Sequence, residues 1–538
     1  MIGADIMIKC LEKEGVDVVF GYPGVAICPF YNSILDSDIR TVLIRTEQNA
    51  AHAANGLARV TGKVGVCAVT SGPGATNLIT GIATAFADSI PLVCITGQVD
   101  SSLLGSDVFQ EADITGATES FVKYSYLVRD AEDIPRIFKE AFYIANTGRK
   151  GPVLIDIPID VQNQTVNKFK YPDEVKMRTY KPTVKGNIVQ IHKVGKELSK
   201  AKRPVIYAGG GVFLADAQKE LMAFAEKFGI PVVSTMMGIG ALPTKHPLYF
   251  GMVGNNGKGY ANRAMKESDL LIMVGGRVAD RAVNQPDLVL RDKVLVHIDV
   301  DPCEIGKNAG PTIPLVGDAK FIFEDICREE VECNYNTWLE TLNLYRENME
   351  KKISPCADYV EPRSFIRMLS EKMAEDGIYV ADVGQNQMWS CGHHIVKKGR
   401  FLTSGGMGTM GYSLPAALGA KIGCPDRQVI AVCGDGAFQM SMMELATMVQ
   451  YQVPVKIVVL NNNVLGMVRE YQHYSYKDNY SVIDLSGSPD LEKLAEAYGI
   501  SFLRIKNMEQ AEEGIDRFLE LEGCVLMECL IDPMELTK

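Results

Sequence analysis

The runs VIAVCGDGAFQM (429–440), SMMELATMVQYQ (441–452), VPVKIVVLNNN (453–463) and VLGMVREYQ (464–472) read in succession as strand, tight turn, helix, strand and loop. Residues 429–433 are short, apolar and β-branched, bounded by Gly434 and Gly436, as a strand buried on both faces of a parallel sheet should be. Asp435 stands at its carboxyl end. Over 441–450, Met442, Leu445, Ala446 and Val449 recur at three- and four-residue spacing, which predicts a helix with one apolar face, ended by Pro454. Residues 456–460 form a second buried strand. A right-handed crossover returns it parallel to the first, so Asn461, Asn462 and Asn463 reach the edge that holds Asp435. Ligands of open α/β sheets bind at that edge. An acid, an amide and a loop carbonyl make an all-oxygen set suited to a hard cation such as Mg²⁺. The glycines admit phosphate oxygens to backbone N–H groups and the next helix adds its positive end, so a metal-bound diphosphate is the expected ligand. On these residues alone, an ordinary βαβ unit with a polar turn is the alternative.

The chain has 538 residues, enough for three or four domains of about 150 residues each. Its net charge of −11, with no basic run, argues against nucleic acid or an anionic membrane as partner and for small-molecule work. Thirteen cysteines lie without zinc-like or CxxC spacing, and Cys67, Cys94 and Cys433 sit in apolar runs where cysteine behaves as a small hydrophobe. Reduced thiols in a cytoplasmic protein are expected. The first residues show no signal-peptide pattern, and no apolar run reaches membrane-spanning length.

Taken in order, 4–14 is an amphipathic helix, 16–20 a strand, and Gly21-Tyr22-Pro23-Gly24 a tight turn. Strand-like runs at 41–44, 64–70, 92–96 and 153–157 alternate with helical segments in the doubly wound pattern. Residues 173–187 are charged, proline-bearing and aperiodic, so they read as a linker. The middle section opens with a helix over 188–199 and a strand over 205–208 that runs into Gly209-Gly210-Gly211. Strands at 270–274 and 294–298 then lead to Gly275-Gly276-Arg277 and to Asp299. These fit either a nucleotide-type sheet or plain tight turns. Residues 324–355, charged, helical and then loose, read as a second linker, and a third α/β domain starts at Arg363. The expected fold is three doubly wound parallel-sheet domains, over 1–172, 188–340 and 360–538. Gly406 to Gly411 satisfies G-x-G-x-x-G, but residues 400–405 give it only a weak preceding strand, so it is a poor dinucleotide fingerprint.

From about Ala4 onward the chain resembles the acetolactate synthase (acetohydroxyacid synthase) catalytic subunits among the thiamine-diphosphate (ThDP) enzymes. The resemblance rests on GYPG at 21, EQNAA at 47, TSGPGATNLITG at 70, DSIPLVCITGQV at 88, FQE at 109, GGRVADR at 275, GQNQMW at 384, GGMGTMGYSLPAALGA at 405, and GDG followed by NN in the stretch above. It implies a pyrimidine-binding domain, a middle domain that often carries FAD, and a diphosphate-binding domain. It also implies an obligate homodimer, with tetramers and a small regulatory subunit as further partners, because the active site lies between two chains. Glu47 is then the carboxyl facing the pyrimidine N1′, where it shares a proton and favours the imino tautomer; a helix-start acid is its other reading. Met410 props the cofactor into its bent form, or is plain core. Gly408 offers its carbonyl, Gln385, Asn386, Gly436, Ala437 and Met467 contact the cofactor, and Asp435, Asn462 and the Val464 carbonyl hold Mg²⁺. Arg281 anchors the carboxylate of the second 2-oxo acid, or pairs with Asp280 at the surface. Phe109, Gln110 and Lys123 align with other pocket positions, Lys123 alternatively being solvated. Arg178, Gly209, Gly210, Arg277, Asp299 and Asp318 fall where the family binds a structural FAD.

The implied activity is decarboxylation of pyruvate and ligation of the two-carbon unit to a second 2-oxo acid, giving 2-acetolactate. Another ThDP-dependent decarboxylase, oxidase or acyl-CoA lyase, or a non-catalytic homologue, is the alternative. Val25, Thr46, Tyr471 and Asn255-Asn256 depart from the family pattern, and the chain as given stops at Lys538, before the family's proline-rich tail. These departures bear on acceptor preference, the flavin site and water exclusion.

Overall fold

Most strands of this protein are short apolar runs buried on both faces, the signature of parallel sheets covered by helices, and with more exposed edge strands they assemble into three six-stranded sheets. The computed structural model describes residues 1–283, 290–350 and 358–537. The first sheet uses β1 (Val18–Tyr22), β2 (Arg40–Leu43), β3 (Gly65–Val69), β4 (Leu92–Gln98), β5 (Tyr124–Leu127) and β6 (Pro152–Pro158), in the order β2-β1-β3-β4-β6-β5. The middle sheet uses β7 (Pro204–Ala208), β8 (Val232–Ser234), β9 (Tyr249–Met252), β10 (Leu270–Val274), β11 (Val294–Asp299) and β12 (Ile313–Val316), in the order β12-β11-β10-β7-β8-β9. The third uses β13 (Ile378–Ala381), β14 (Arg400–Leu402), β15 (Val429–Gly434), β16 (Lys456–Asn461), β17 (Ser501–Ile505) and β18 (Val525–Leu530), in the order β14-β13-β15-β16-β18-β17. All strand pairs in the three sheets are parallel.

The first and third sheets therefore repeat one topology. The middle sheet, read from β9, has the strand order of dinucleotide-binding folds, with its switch point between β7 and β10. The third sheet reverses between β13 and β15, which sets the ends of those strands, Asp382 and Asp435, at its ligand crevice. The first and third units are not separate bodies: Phe20, Ala54, Leu57, Ala416, Leu418 and Val459 share one hydrophobic core. Helix Glu47–Thr61 and helix Ser413–Gly423 pack at its centre.

Two expectations need correction. The helix read over 441–450 starts at Glu444, after a short helix Asp435–Gln439 that replaces the tight turn. Its buried face is Glu444, Leu445, Thr447 and Met448, and Val449 is exposed. The phase differs because Glu444 is drawn inward, accepting hydrogen bonds from Asn49 Nδ2 (2.9 Å) and Arg45 N–H (3.0 Å) of the first unit. The second charged stretch is not all linker, since helix Asn336–Met349 inserts Trp338 and Leu342 into the middle core; 351–357 lie outside the described residues. The strand before the glycine run at 406 is as short as expected, three residues over Arg400–Leu402. Among the described residues no helix is long and apolar enough to cross a membrane.

Candidate active site

β15 delivers Asp435 to the crevice as the first residue of helix Asp435–Gln439, 4 % exposed. Its Oδ2 is buried without a hydrogen-bond partner. Burial pushes this carboxyl up to about 6, although backbone N–H groups, Gly436 foremost, favour the charged form. β16 brings Asn462 beside it. The Asn462 amide is oriented by its neighbours: Oδ1 accepts from Val464 N–H (3.2 Å) and Nδ2 donates to Gln385 Oε1 (3.3 Å). Gln385 is held in turn, donating to Glu470 Oε2 (2.9 Å) and the Glu535 carbonyl (2.8 Å). Asn386 donates to the Asp382 carbonyl (3.1 Å) and the Val432 carbonyl (2.8 Å). Gly436 leaves open the space between Leu465, Leu485 and the Met410 methyl group, and Ala437 is buried behind it. An orphaned carboxylate oxygen beside a fixed amide fits a cation.

Sequence reasoning missed Asp382. This fully buried acid at the end of β13 accepts N–H groups from Gly411 (2.9 Å), Ser413 (2.7 Å) and Val383 (2.8 Å), and so fixes the chain next to Met410. Its signal was present, an acid closing an apolar strand in YVADVG. Glu470, which accepts from Gln385 and from Thr537 Oγ1 (2.7 Å), was missed as well.

Glu47 lies elsewhere on the chain. It opens helix Glu47–Thr61, and its Oε2 accepts from Asn77 Nδ2 (3.0 Å). Nearby, Gly74 approaches the same carboxylate, while Gln110, with φ +61°, lies against Gly72. Phe109 projects from that loop, 87 % exposed. Lys123 is not brought to this group. Its Nζ donates to the Ile144 carbonyl, the Thr147 carbonyl (2.8 Å) and Tyr180 Oη (2.9 Å), capping the end of helix Ile134–Asn146. Burial lowers this ammonium to about 8.

A cavity of about 810 Å³ opens where the three units meet. The middle unit gives it Gly210, Arg277, Arg281, Asp299 and Asp318, and the third gives Gly408 and Met467. At the switch point, Gly209 and Gly275 touch so closely that a Cβ on Gly209 would fall 2.2 Å from the Gly275 carbonyl oxygen. Here backbone packs on backbone, so Gly209 itself does not border the cavity, whereas Gly210 and Gly275 do. Burial raises Asp299 to about 6, and Asp318 caps helix Ala319–Ile326 by accepting Lys320 N–H (2.9 Å). Arg281 stands at the rim with a side chain 84 % exposed, 3.7 Å from Asp280. Arg178 is exposed and does not border the cavity; Pro182, Thr183 and Val184 of the same inter-unit segment do. Of the departures, Asn256 lines the cavity, while Val25 and Tyr471 are exposed.

Two sheets of one topology around a dinucleotide-type sheet, with a buried acid and amide at the third crevice, define a thiamine pyrophosphate enzyme. The family models agree domain by domain: the N-terminal TPP binding domain matches 1–117, the central domain 191–326, and the C-terminal TPP binding domain 382–529. The chain is 44 % identical to the probable acetolactate synthase large subunit of Methanocaldococcus jannaschii over 551 aligned residues, covering 99 % of this chain and 93 % of that protein. It is 44 % identical to the acetolactate synthase large subunit of Corynebacterium glutamicum, covering 97 % and 85 %. With that of Haemophilus influenzae it shares 40 %, covering 99 % and 95 %. The chain belongs to the acetolactate synthase large-subunit family of thiamine pyrophosphate enzymes.

Proposed function

We propose that this chain decarboxylates pyruvate and ligates the remaining two-carbon unit to a second 2-oxo acid, forming 2-acetolactate with ThDP and Mg²⁺. The observation that carries the reading is the Asp435 carboxylate, buried with an unpartnered oxygen beside Asn462. Bound ThDP supplies the electron sink that lets a 2-oxo acid lose CO₂. Asp435, Asn462 and the Val464 carbonyl hold the metal, and Gln385, Asn386, Gly436 and Ala437 take the diphosphate. Gly408, Met410 and Met467 seat the rest of the cofactor. Glu47 holds a proton at the pyrimidine N1′, Gln110 orients substrate beside it, and Arg281 orients the second oxo acid through its carboxylate.

Glu47 and Asp435 belong to different half-sites. A homodimer in which the first unit of one copy faces the third unit of the other joins them, and exposed apolar side chains on both halves support it: Val25 and Phe109 on one, Tyr471, Tyr474 and Val482 on the other. The name "large subunit" among the relatives supports a small regulatory partner. For FAD, the strand order and the cavity-lining Gly210, Gly275 and Asp299 fit a structural flavin, with Arg277 and Asp318 around it and Gly209 packed beneath.

The test is incubation of purified protein with ThDP, Mg²⁺ and pyruvate, with and without 2-oxobutyrate, following oxo-acid loss and both acetohydroxy acids. Acetolactate is expected; acetaldehyde or acetyl phosphate in its place would reject the synthase reading.

A further inference from the structure

The glycine run Gly405 to Gly411 does receive an anion, but from within the chain. Asp88, from the end of helix Ile79–Asp88, is buried with its side chain 1 % exposed. Its Oδ1 accepts from Gly406 N–H (2.7 Å) and its Oδ2 from Gly405 N–H (3.2 Å), so two successive backbone donors of the third unit grip one carboxylate of the first. Glycine is required there because a Cβ on Gly406 would stand 2.9 Å from the Ala87 carbonyl oxygen. Arg59 completes the grip. Its Nη2 lies 2.6 Å from Asp88 Oδ2, and its Nε donates to Asn55 Oδ1 (2.8 Å), which also accepts from Tyr412 Oη (2.9 Å). Asp88 thus fixes the start of the segment and Asn55 its end, with the Thr84 and Thr409 hydroxyls 2.7 Å apart between them. Met407, Gly408 and Met410 lie on the stretch so held.

We propose that Asp88, with Arg59, is a positioning residue: it anchors the 405–412 segment across the domain interface so that Gly408 and Met410 stand in register for the cofactor. This rests on the ThDP reading above. Misplacement of a reacting group by about 1 Å costs on the order of 10²-fold, so the anchor is expected to act on rate and not on substrate affinity.

The test uses the full chain as Asp88→Asn, which replaces one acceptor oxygen by an amide and leaves Arg59 without its counter-charge. In cofactor-free protein, amide hydrogen exchange over 404–412 is expected to quicken at least about tenfold while helix Leu491–Tyr498 is unchanged. With ThDP and Mg²⁺ bound, exchange of the cofactor C2 proton into D₂O, per bound cofactor, should fall at least about tenfold, with KM for pyruvate within about twofold. Gly406→Ala removes no buried charge and should give the same pair of changes, so it decides the matter if Asp88→Asn does not fold. Wild-type exchange at both readouts in either folded variant overturns the proposal. Failure of the wild type to hasten C2 exchange over free ThDP would instead reject the functional reading, and the anchor's role with it.

Discussion

Asp435→Asn tests the electrostatics of the proposed cation site without substrate. Burial raises this carboxyl from 3.8 to about 6, which corresponds to about 3 kcal/mol of penalty on the charged form. The folded state holds the proton more tightly than the unfolded chain. Metal-free stability therefore falls as pH climbs from about 4 to about 6 and stays low above that. Asparagine removes the charge and keeps one acceptor oxygen, but sets an unsatisfied amide where Oδ2 stood, at a cost of about 1–2 kcal/mol. The net expectation at pH 8 is a variant about 1–2 kcal/mol more stable than the wild type when metal-free, with the advantage lost near pH 5. The chain has two tryptophans, Trp338 in the middle core and Trp389 in the third unit, both buried. A Trp338→Phe background thus lets a urea titration follow Trp389 alone. Adding Mg²⁺ with ThDP should stabilise the wild type and leave the variant unmoved. A variant less stable at pH 8, or a difference that does not change between pH 8 and pH 5, would refute the picture of an uncompensated charge awaiting a cation.

Other substitutions separate chemistry from structure. Glu47→Gln keeps an oxygen for Asn77 and should lose at least about 10²-fold in acetolactate formation, with the urea midpoint unchanged. Arg281→Ala, at an exposed position, should raise the apparent KM for the second oxo acid about tenfold or more and change stability by less than about 0.5 kcal/mol. Lys123→Met should do the reverse: it strips a donor from the end of helix Ile134–Asn146 and costs about 1–3 kcal/mol, while kcat per folded enzyme stays within about twofold.

What was legible in the sequence was local. A strand buried on both faces is a continuous apolar run, so β7, β10, β15 and β16 were found within a residue or two, and the acid and glycines at their ends marked the crevices. Short strands such as β5, whose Tyr124 is exposed and whose Ser125, Tyr126 and Leu127 are only part-buried, carry no such run. The phase of the 444–450 helix was misread because a buried Glu444 looks like a solvent residue until Asn49, 395 positions away, is seen beside it. The same holds for Lys123, whose partners are carbonyls 21 and 24 residues on, and for Asp88, which meets Gly406 at a separation of 318. Composition registers none of these pairings, because their types are common at surfaces and only tertiary packing buries them, between two units for Glu444 and Asp88 and at a helix end of the first unit for Lys123. Conversely, Asp435 and Asn462 were readable because one βαβ unit places both.

The proposed site takes Glu47 from one copy and Asp435 from the other, and mixing two disabled chains tests this most directly. Glu47→Gln and Asp435→Asn chains, each purified, should be unfolded together, refolded at equal concentration with ThDP and Mg²⁺, and assayed for acetolactate from pyruvate. Each variant alone should be inactive. Half of the mixed dimers should be hybrids with one intact site of two, restoring about one quarter of wild-type activity. No recovery in correctly refolded hybrids, or full activity in either variant alone, would contradict the shared site.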